Sequence, residues 1–240
     1  PVSQKPIVLN VCNFAKGSPT LLSFDDARTL FHEFGHALHQ ILSNVTYEPL
    51  SGTSVSRDFV ELPSQLFEHW LTVPEVLKRF AVHYKTKSPI SEKLMERLIG
   101  ASNYDMGYQT VEYTSSALVD LYFHLEDTEK DVMELQNEIL STIGLPEAIK
   151  MRHATPHFAH VFSGGYYAAA YYSYMWSEVM DADAFSAFEE LDNPFDADLA
   201  KSLEDNILSK GNSIDPEIAY KRFRGSLPKV DALLKGRGLI

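Results

Sequence analysis

His32-Glu33-Phe34-Gly35-His36 sets two imidazoles four residues apart with a carboxylate between them. In a helix, positions four apart lie one above the other on a single face. Two such imidazoles can converge on one metal ion. A carboxylate beside that face can reach a water held at the metal without taking a ligand position. The chemistry suited to this pattern is hydrolysis by metal-activated water. The same five-residue pattern also arises by chance in helices, so it cannot stand alone. Its flanks agree with a helix. Leu30 and Phe31 precede it and Ala37 and Leu38 follow at apolar helical spacing, while Ser23-Phe24-Asp25-Asp26 offers an N-terminal cap.

A catalytic zinc site needs a third protein ligand and one position left for water. His39 is close on the same face, but its backbone lies about 10 Å along the axis from His32. Ligands sit about 2 Å from the ion, so three such positions on one straight helix do not share it. His39 reads as a packed histidine or one that supports the ligands from behind. The ligand is expected from a later element, and Glu61 is the candidate, within Arg57-Asp58-Phe59-Val60-Glu61-Leu62-Pro63-Ser64-Gln65. A second helix is expected to begin near Asp58 and lie against the first. Asp58 and Glu61 also match a capping box with no metal role, and spacing alone slightly favours that alternative.

Longer motifs reverse the preference. Phe31-His32-Glu33-Phe34-Gly35-His36-Ala37-Leu38-His39, Ser51-Gly52-Thr53 and Asp58 through Gln65 together resemble the thimet-oligopeptidase family of zinc metallopeptidases. The likeness continues through His160-Val161-Phe162-Ser163-Gly164-Gly165, Tyr171-Tyr172-Ser173-Tyr174-Met175-Trp176, and the ending Asn206 to Ser213 with Arg222-Phe223-Arg224-Gly225. It covers essentially the whole chain. The tract from Leu50 to Glu61 looks closest to the peptidyl-dipeptidase branch, which releases C-terminal dipeptides.

The resemblance implies His32, His36 and Glu61 as ligands of one zinc per chain, with Glu33 as general base. It also implies that His160 and a group of tyrosines face the metal across a cleft. Tyr166-Tyr167 stands where the bacterial pattern has one tyrosine after the glycines. Counting forward from His160 selects Tyr166, and counting back from Trp176 selects Tyr167. We take Tyr167, because Tyr167, Tyr171 and Tyr174 then fall four and three apart, on one helical face. Family members are longer chains, in which a mostly helical N-terminal region forms the opposite wall of a substrate channel. Short peptides are the implied substrates, and that region is the implied partner of these residues.

Composition narrows the classes. A formal charge of −12 argues against a nucleic-acid surface, which would be basic. No apolar run approaches the roughly 18 residues of a membrane span. Cys12 is the single cysteine, which rules out an internal disulfide framework and fits a reducing compartment. With no signal-like start, a cytoplasmic location is expected; with no initiator methionine, the start reads as a cut. The 240 residues, 45% of them apolar, can bury a substantial core as one catalytic domain.

The pattern along the chain is mostly helical. Ile7 to Val11 reads as one buried strand. Helical periodicity recurs after Pro74, from Glu92 to Ile99, from Tyr104 through Leu125 and from Asp131 to Leu140. A long helix is expected from about Tyr167 to Leu191, with short ones after Asp196 and Pro216. The expected class is mainly α, a multi-helical zincin-type domain with a minor strand component.

In the implied reaction, Glu33 takes a proton from the attacking water, and tyrosine hydroxyls from Tyr167 and Tyr174 meet the oxyanion with His160 assisting. An aromatic stripe at helical spacing is more often core, and the adjacent glycines weaken that alternative here. Tyr166, Tyr171, Gly164 and Gly165 are candidates to line the substrate. Arg57 is a candidate partner for a substrate's C-terminal carboxylate, or a surface arginine paired with Asp58. Asp58 reads as a cap. His69, His83 and His124 read as structural or surface residues, while His153 and His157 line the cleft or pair locally. The competing functions are an endo-acting oligopeptidase and an inactive peptide-binding module.

Overall fold

In the computed structural model, residues 6–125 and 129–240 are described. Among them, eleven α-helices carry the fold. They are α1 (Phe24–Ile41), α2 (Leu62–Glu68), α3 (Pro74–Phe80), α4 (Glu92–Ala101), α5 (Met106–Leu125) and α6 (Val132–Thr142), then α7 (Ala159–Phe162), α8 (Ser173–Glu190), α9 (Ala197–Leu203), α10 (Pro216–Arg224) and α11 (Asp231–Gly236). The mainly α class holds, and α7 and α11 are additions to the helices expected.

The strand at Ile7 to Val11 does not form. The only β pairing among the described residues is an isolated bridge between Val82 and Pro89. Ile7, Leu9 and Val11 are exposed on an extended segment. A strand satisfies its backbone through a neighbour, which alternating apolar side chains cannot replace.

Local chemistry sets the first helix. Ser23 Oγ accepts the Asp26 N–H at 3.0 Å while Asp26 Oδ2 accepts the Ser23 N–H at 2.9 Å, a reciprocal cap. Against α1 lies α2, and Gly35 is what lets it approach. A Cβ at Gly35 would stand 2.6 Å from both Pro63 O and Ser64 Cα, so any side chain there drives the two helices apart. The opposite face of α2 sends Leu62 and Leu66 into the main core, where they meet Met180, Ala184 and Phe188 of α8. Those three recur every four residues on one face, and Ile207, Tyr220 and Phe223 close the cluster. Burial of each large apolar side chain contributes about 1.5–3 kcal/mol, which makes α2 the fixed layer between α1 and α8.

A second cluster, Val119 with Leu135 and Ile139, joins α5 to α6. From α6, Gln136 Oε1 accepts both the Thr155 N–H at 2.8 Å and the Thr155 hydroxyl at 2.9 Å. Phe158 and Val161 are buried just beyond, so the short α7 is anchored with His160 turned outward. Near the far end of the chain, the Asn212 N–H donates to Leu50 O at 2.8 Å and ties that segment to the stretch leading into α2.

Two helix starts differ from expectation. Residues 57–61 form turns, and α2 begins only at Leu62. Asp58 caps nothing: its Oδ2 accepts the Tyr172 hydroxyl at 3.1 Å. The long helix expected from Tyr167 starts instead at Ser173. Ala169 lies at φ +56°, and the N–H groups of Ala169 and Tyr171 bond to the side chain of Asp120 rather than to carbonyls four residues back. No helix among the described residues is long and apolar enough to cross a membrane.

Candidate metal centre and active site

One helical turn of α1 presents His32 and His36, whose rings meet edge to face with centroids 5.0 Å apart. Glu61, at the turn into α2, faces them both. Its Oε2 lies 3.3 Å from His32 Nε2 and 3.2 Å from His36 Nε2. One ligand atom from each of the three residues falls within 4.8 Å of the others. Two imidazole nitrogens and a carboxylate oxygen, leaving further positions open, form a donor set that suits zinc. His39 is outside this group and fully buried; burial, with the neighbouring His36, lowers its pKa to about 4 and keeps it neutral.

Glu61 is only 3% exposed and is held from behind by Ser64, whose hydroxyl reaches Glu61 Oε2 at 3.0 Å. Burial alone would raise the Glu61 pKa, but hydrogen bonds from His32 and His36 outweigh it and hold the carboxyl far below its usual range. For His32, burial pulls downward, while Glu61 and Glu68 push its pKa up to about 9. Both shifts have one cause, the close pairing of imidazole with carboxylate.

Glu68 was not singled out from sequence. Its Oε1 stands 2.7 Å from His32 Nδ1. It falls seven residues after Glu61, two turns along the same helical face, and that spacing was the available signal. Glu33, the residue after His32, is partly exposed and its carboxylate has no protein partner among the described residues.

Across from the triad stands an aromatic group. His160 Nε2 lies 2.9 Å from the Tyr174 hydroxyl. The Tyr167 ring stacks on His160 with centroids 4.3 Å apart, and Tyr171 and Tyr174 close in at 5.7 and 5.8 Å. The Tyr167 hydroxyl donates toward Glu61 Oε1 at 3.4 Å, spanning the two halves. Burial raises the pKa of Tyr167 and Tyr174 and lowers that of His160. The phenols therefore keep their protons and remain donors. The tyrosines gather as expected, although not by sharing a helical face, since Tyr167 and Tyr171 precede α8.

Tyr166 points elsewhere. The Arg57 guanidinium carbon sits 3.0 Å from the Tyr166 ring centroid and 4.9 Å from that of Tyr167. Arg57 is thus stacked on tyrosines and not paired with Asp58. Gly164 and Gly165 are exposed, with no atom within 4 Å of where a side chain would begin. His153 stacks on Phe158 at 5.6 Å. His69 pairs with buried Asp181 at 2.6 Å, and His124 with Asp120 at 2.9 Å. A cavity of about 1000 Å³ lies behind Glu68, bounded by His69, Tyr113, Asp181 and Arg237. His36, Glu61 and Tyr167 do not line it, so the donor atoms rather than this cavity mark the candidate centre.

Residues 2–239 match the family model described as Peptidase family M3. The chain belongs to that family. Among M3 relatives, a dipeptidyl carboxypeptidase of Escherichia coli is 41% identical over 98% of this chain and 35% of its own length. An oligopeptidase A of the same organism is 39% identical over 98% of the chain and 35% of its own length. A thimet-like oligopeptidase of Dictyostelium discoideum is 35% identical, over 98% and 36%. The chain therefore spans about a third of the length of these M3 relatives.

Proposed function

We propose that residues 1–240 form a single catalytic domain of a zinc-dependent peptidase that hydrolyses oligopeptides and releases C-terminal dipeptides. The observation that carries this reading is the convergence of His32, His36 and Glu61 within 4.8 Å, opposite the hydroxyls of Tyr167 and Tyr174. His32, His36 and Glu61 would hold one zinc ion. When bound, the ion supplies a Lewis acid that polarises the scissile carbonyl and makes water acidic enough to attack near neutral pH.

The chain's own residues do the rest. Glu33, one position from His32 and without a partner among the described residues, accepts the proton of the attacking water at a carboxylate oxygen. It then returns that proton to the leaving amine. Tyr167, its proton turned from Glu61 to the substrate, and Tyr174 donate hydrogen bonds to the oxygen that becomes negative, a task for phenols that are still protonated. His160, bonded to Tyr174 at 2.9 Å, fixes that hydroxyl and shares in the same task. Gly164 and Gly165 leave room for a substrate backbone to lie close. Tyr171 and Tyr166 border that path, and Arg57 offers a two-pronged partner to a terminal carboxylate.

The exposed face of His160, Gly164, Gly165 and Tyr166 is one wall of the cleft, and the opposite wall is proposed to come from a further region of the same chain. The proposed location is the cytoplasm, on the single cysteine. Endo-acting cleavage is the second reading, favoured by the 39% identity to an oligopeptidase A. The deciding experiment compares one peptide with a free C-terminus and the same peptide amidated, with products weighed by mass spectrometry. Loss of the C-terminal dipeptide from the free form only supports the first reading. Equal internal cleavage of both supports the second, and no cleavage of either with zinc bound rejects both.

A further inference from the structure

The segment that carries Tyr167 and Tyr171 owes its shape to α5. Asp120 of α5 is fully buried. Its Oδ1 accepts the Ala169 N–H at 3.0 Å and its Oδ2 accepts the Tyr171 N–H at 2.9 Å. His124, one turn further along α5, places Nδ1 2.9 Å from the same Oδ1. Tyr113 lies seven residues before Asp120, two turns back on the same face. Its hydroxyl donates to the Tyr171 carbonyl and accepts the Met175 N–H at 3.3 Å. Its ring stacks on that of Tyr171, with centroids 5.1 Å apart. Two side chains from one face of α5 thus grip the backbone on both sides of residue 170.

That grip holds an unfavourable shape. Ala169 at φ +56° is left-handed, a conformation that costs any residue with a Cβ and persists where the surroundings over-determine it. A carboxylate receiving two backbone N–H groups makes strong, directed bonds and is well suited to impose it. Two residues upstream, Tyr167 stacks on His160 at 4.3 Å and aims its hydroxyl at Glu61. Nothing in the spacing of residues 163–172 alone would place it there.

We propose that Asp120, assisted by Tyr113, is a positioning residue of the peptidase site. It fixes the backbone at residues 169 and 171, and thereby the Tyr167 hydroxyl. The inference rests on the peptidase reading given above. A buried carboxylate that serves stability alone would behave differently, because molecules that did fold would turn over normally.

The test is a double-mutant cycle in the intact protein, with Asp120→Asn, Tyr167→Phe and the pair together. Asparagine keeps the shape but can accept only one of the two N–H bonds. Asp120→Asn is expected to lower kcat about 10- to 100-fold per folded, zinc-loaded molecule, since small displacements of catalytic groups carry costs of that order. KM should stay within about twofold, because ground-state binding is untouched. In the Tyr167→Phe background the same change should cost less than about twofold, because its target is already gone. Amide hydrogen exchange at Ala169 and Tyr171 should quicken about tenfold or more while α1 and α2 keep their protection. Equal losses in both backgrounds, or unchanged exchange at the two amides, overturns the proposal. If Asp120→Asn does not fold, Tyr113→Phe enters the same cycle with the same criteria. Should the parent protein cleave no peptide, the peptidase reading has failed. The exchange measurement still decides whether Asp120 holds this segment.

Discussion

His32 Nδ1 stands 2.7 Å from Glu68 Oε1, on the side of the ring away from Glu61. In the neutral form that can bind a metal, with its proton on Nδ1, the imidazole would donate to Glu68 and turn the lone pair of Nε2 toward the space shared with His36 and Glu61. A carboxylate behind a metal-binding histidine fixes ring orientation and raises ligand basicity. Glu68→Ala should therefore weaken zinc binding about 10- to 100-fold, and Glu68→Gln, which can still accept, should weaken it less. Competition against a coloured chelator measures this. Unchanged affinity in both variants would show that Glu68 merely neighbours the site.

Removal of a ligand should be more severe than removal of its support. Glu61→Ala should abolish stoichiometric zinc binding by titration calorimetry, since two imidazoles alone make a weak site. Full binding at the parent affinity would return Glu61 to a structural part at the start of α2.

Glu33→Gln separates proton transfer from metal binding. The variant should keep zinc and its thermal midpoint while kcat falls about 10²- to 10⁴-fold. Near-normal turnover in that variant would remove Glu33 from the reaction.

The two adjacent tyrosines should differ. Tyr167→Phe should reduce kcat about 10²- to 10³-fold, as loss of an oxyanion donor does elsewhere, with KM little changed. Tyr166→Phe keeps the ring face beneath Arg57 and should alter kcat hardly at all. The reverse ranking in steady-state kinetics would assign the task to Tyr166.

Gly35 carries a stability prediction. Because a Cβ there would meet Pro63 O and Ser64 Cα at 2.6 Å, Gly35→Ala should destabilise the protein by about 1–3 kcal/mol in urea unfolding. Zinc affinity should fall with it, since the same contact sets how near Glu61 stands to the histidines. An unchanged urea midpoint would mean that the helices separate without cost.

The site was legible where its geometry is local. His32, Glu33 and His36 follow from one turn of helix, and the Ser23 cap follows from four residues. Glu61 was not legible by spacing, which slightly favours a capping box; longer motif resemblance selected it. The helix expected from Tyr167 failed because the shape of that segment is set by Asp120, 49 residues before Ala169 in the chain. No periodicity within the segment records such a contact. Ile7 to Val11 failed for a related reason, since a strand is a property of two segments and the pattern describes one.

The hold of α5 on the backbone at Ala169 and Tyr171 also divides the segment before α8 into two parts with different tolerances. On one side, α7 is moored by Phe158 and Val161; on the other, Tyr171 and Tyr174 are moored by Asp120, Tyr113 and the first turn of α8. Between the moorings, Ser163 to Tyr166 lie exposed. A residue gained or lost there should change what borders the proposed substrate path without disturbing the register of the downstream tyrosines. The doubled tyrosine at 166 and 167 sits at the edge of that exposed stretch, where the side chain of Tyr166 meets Arg57 and solvent while Tyr167 keeps its place on His160.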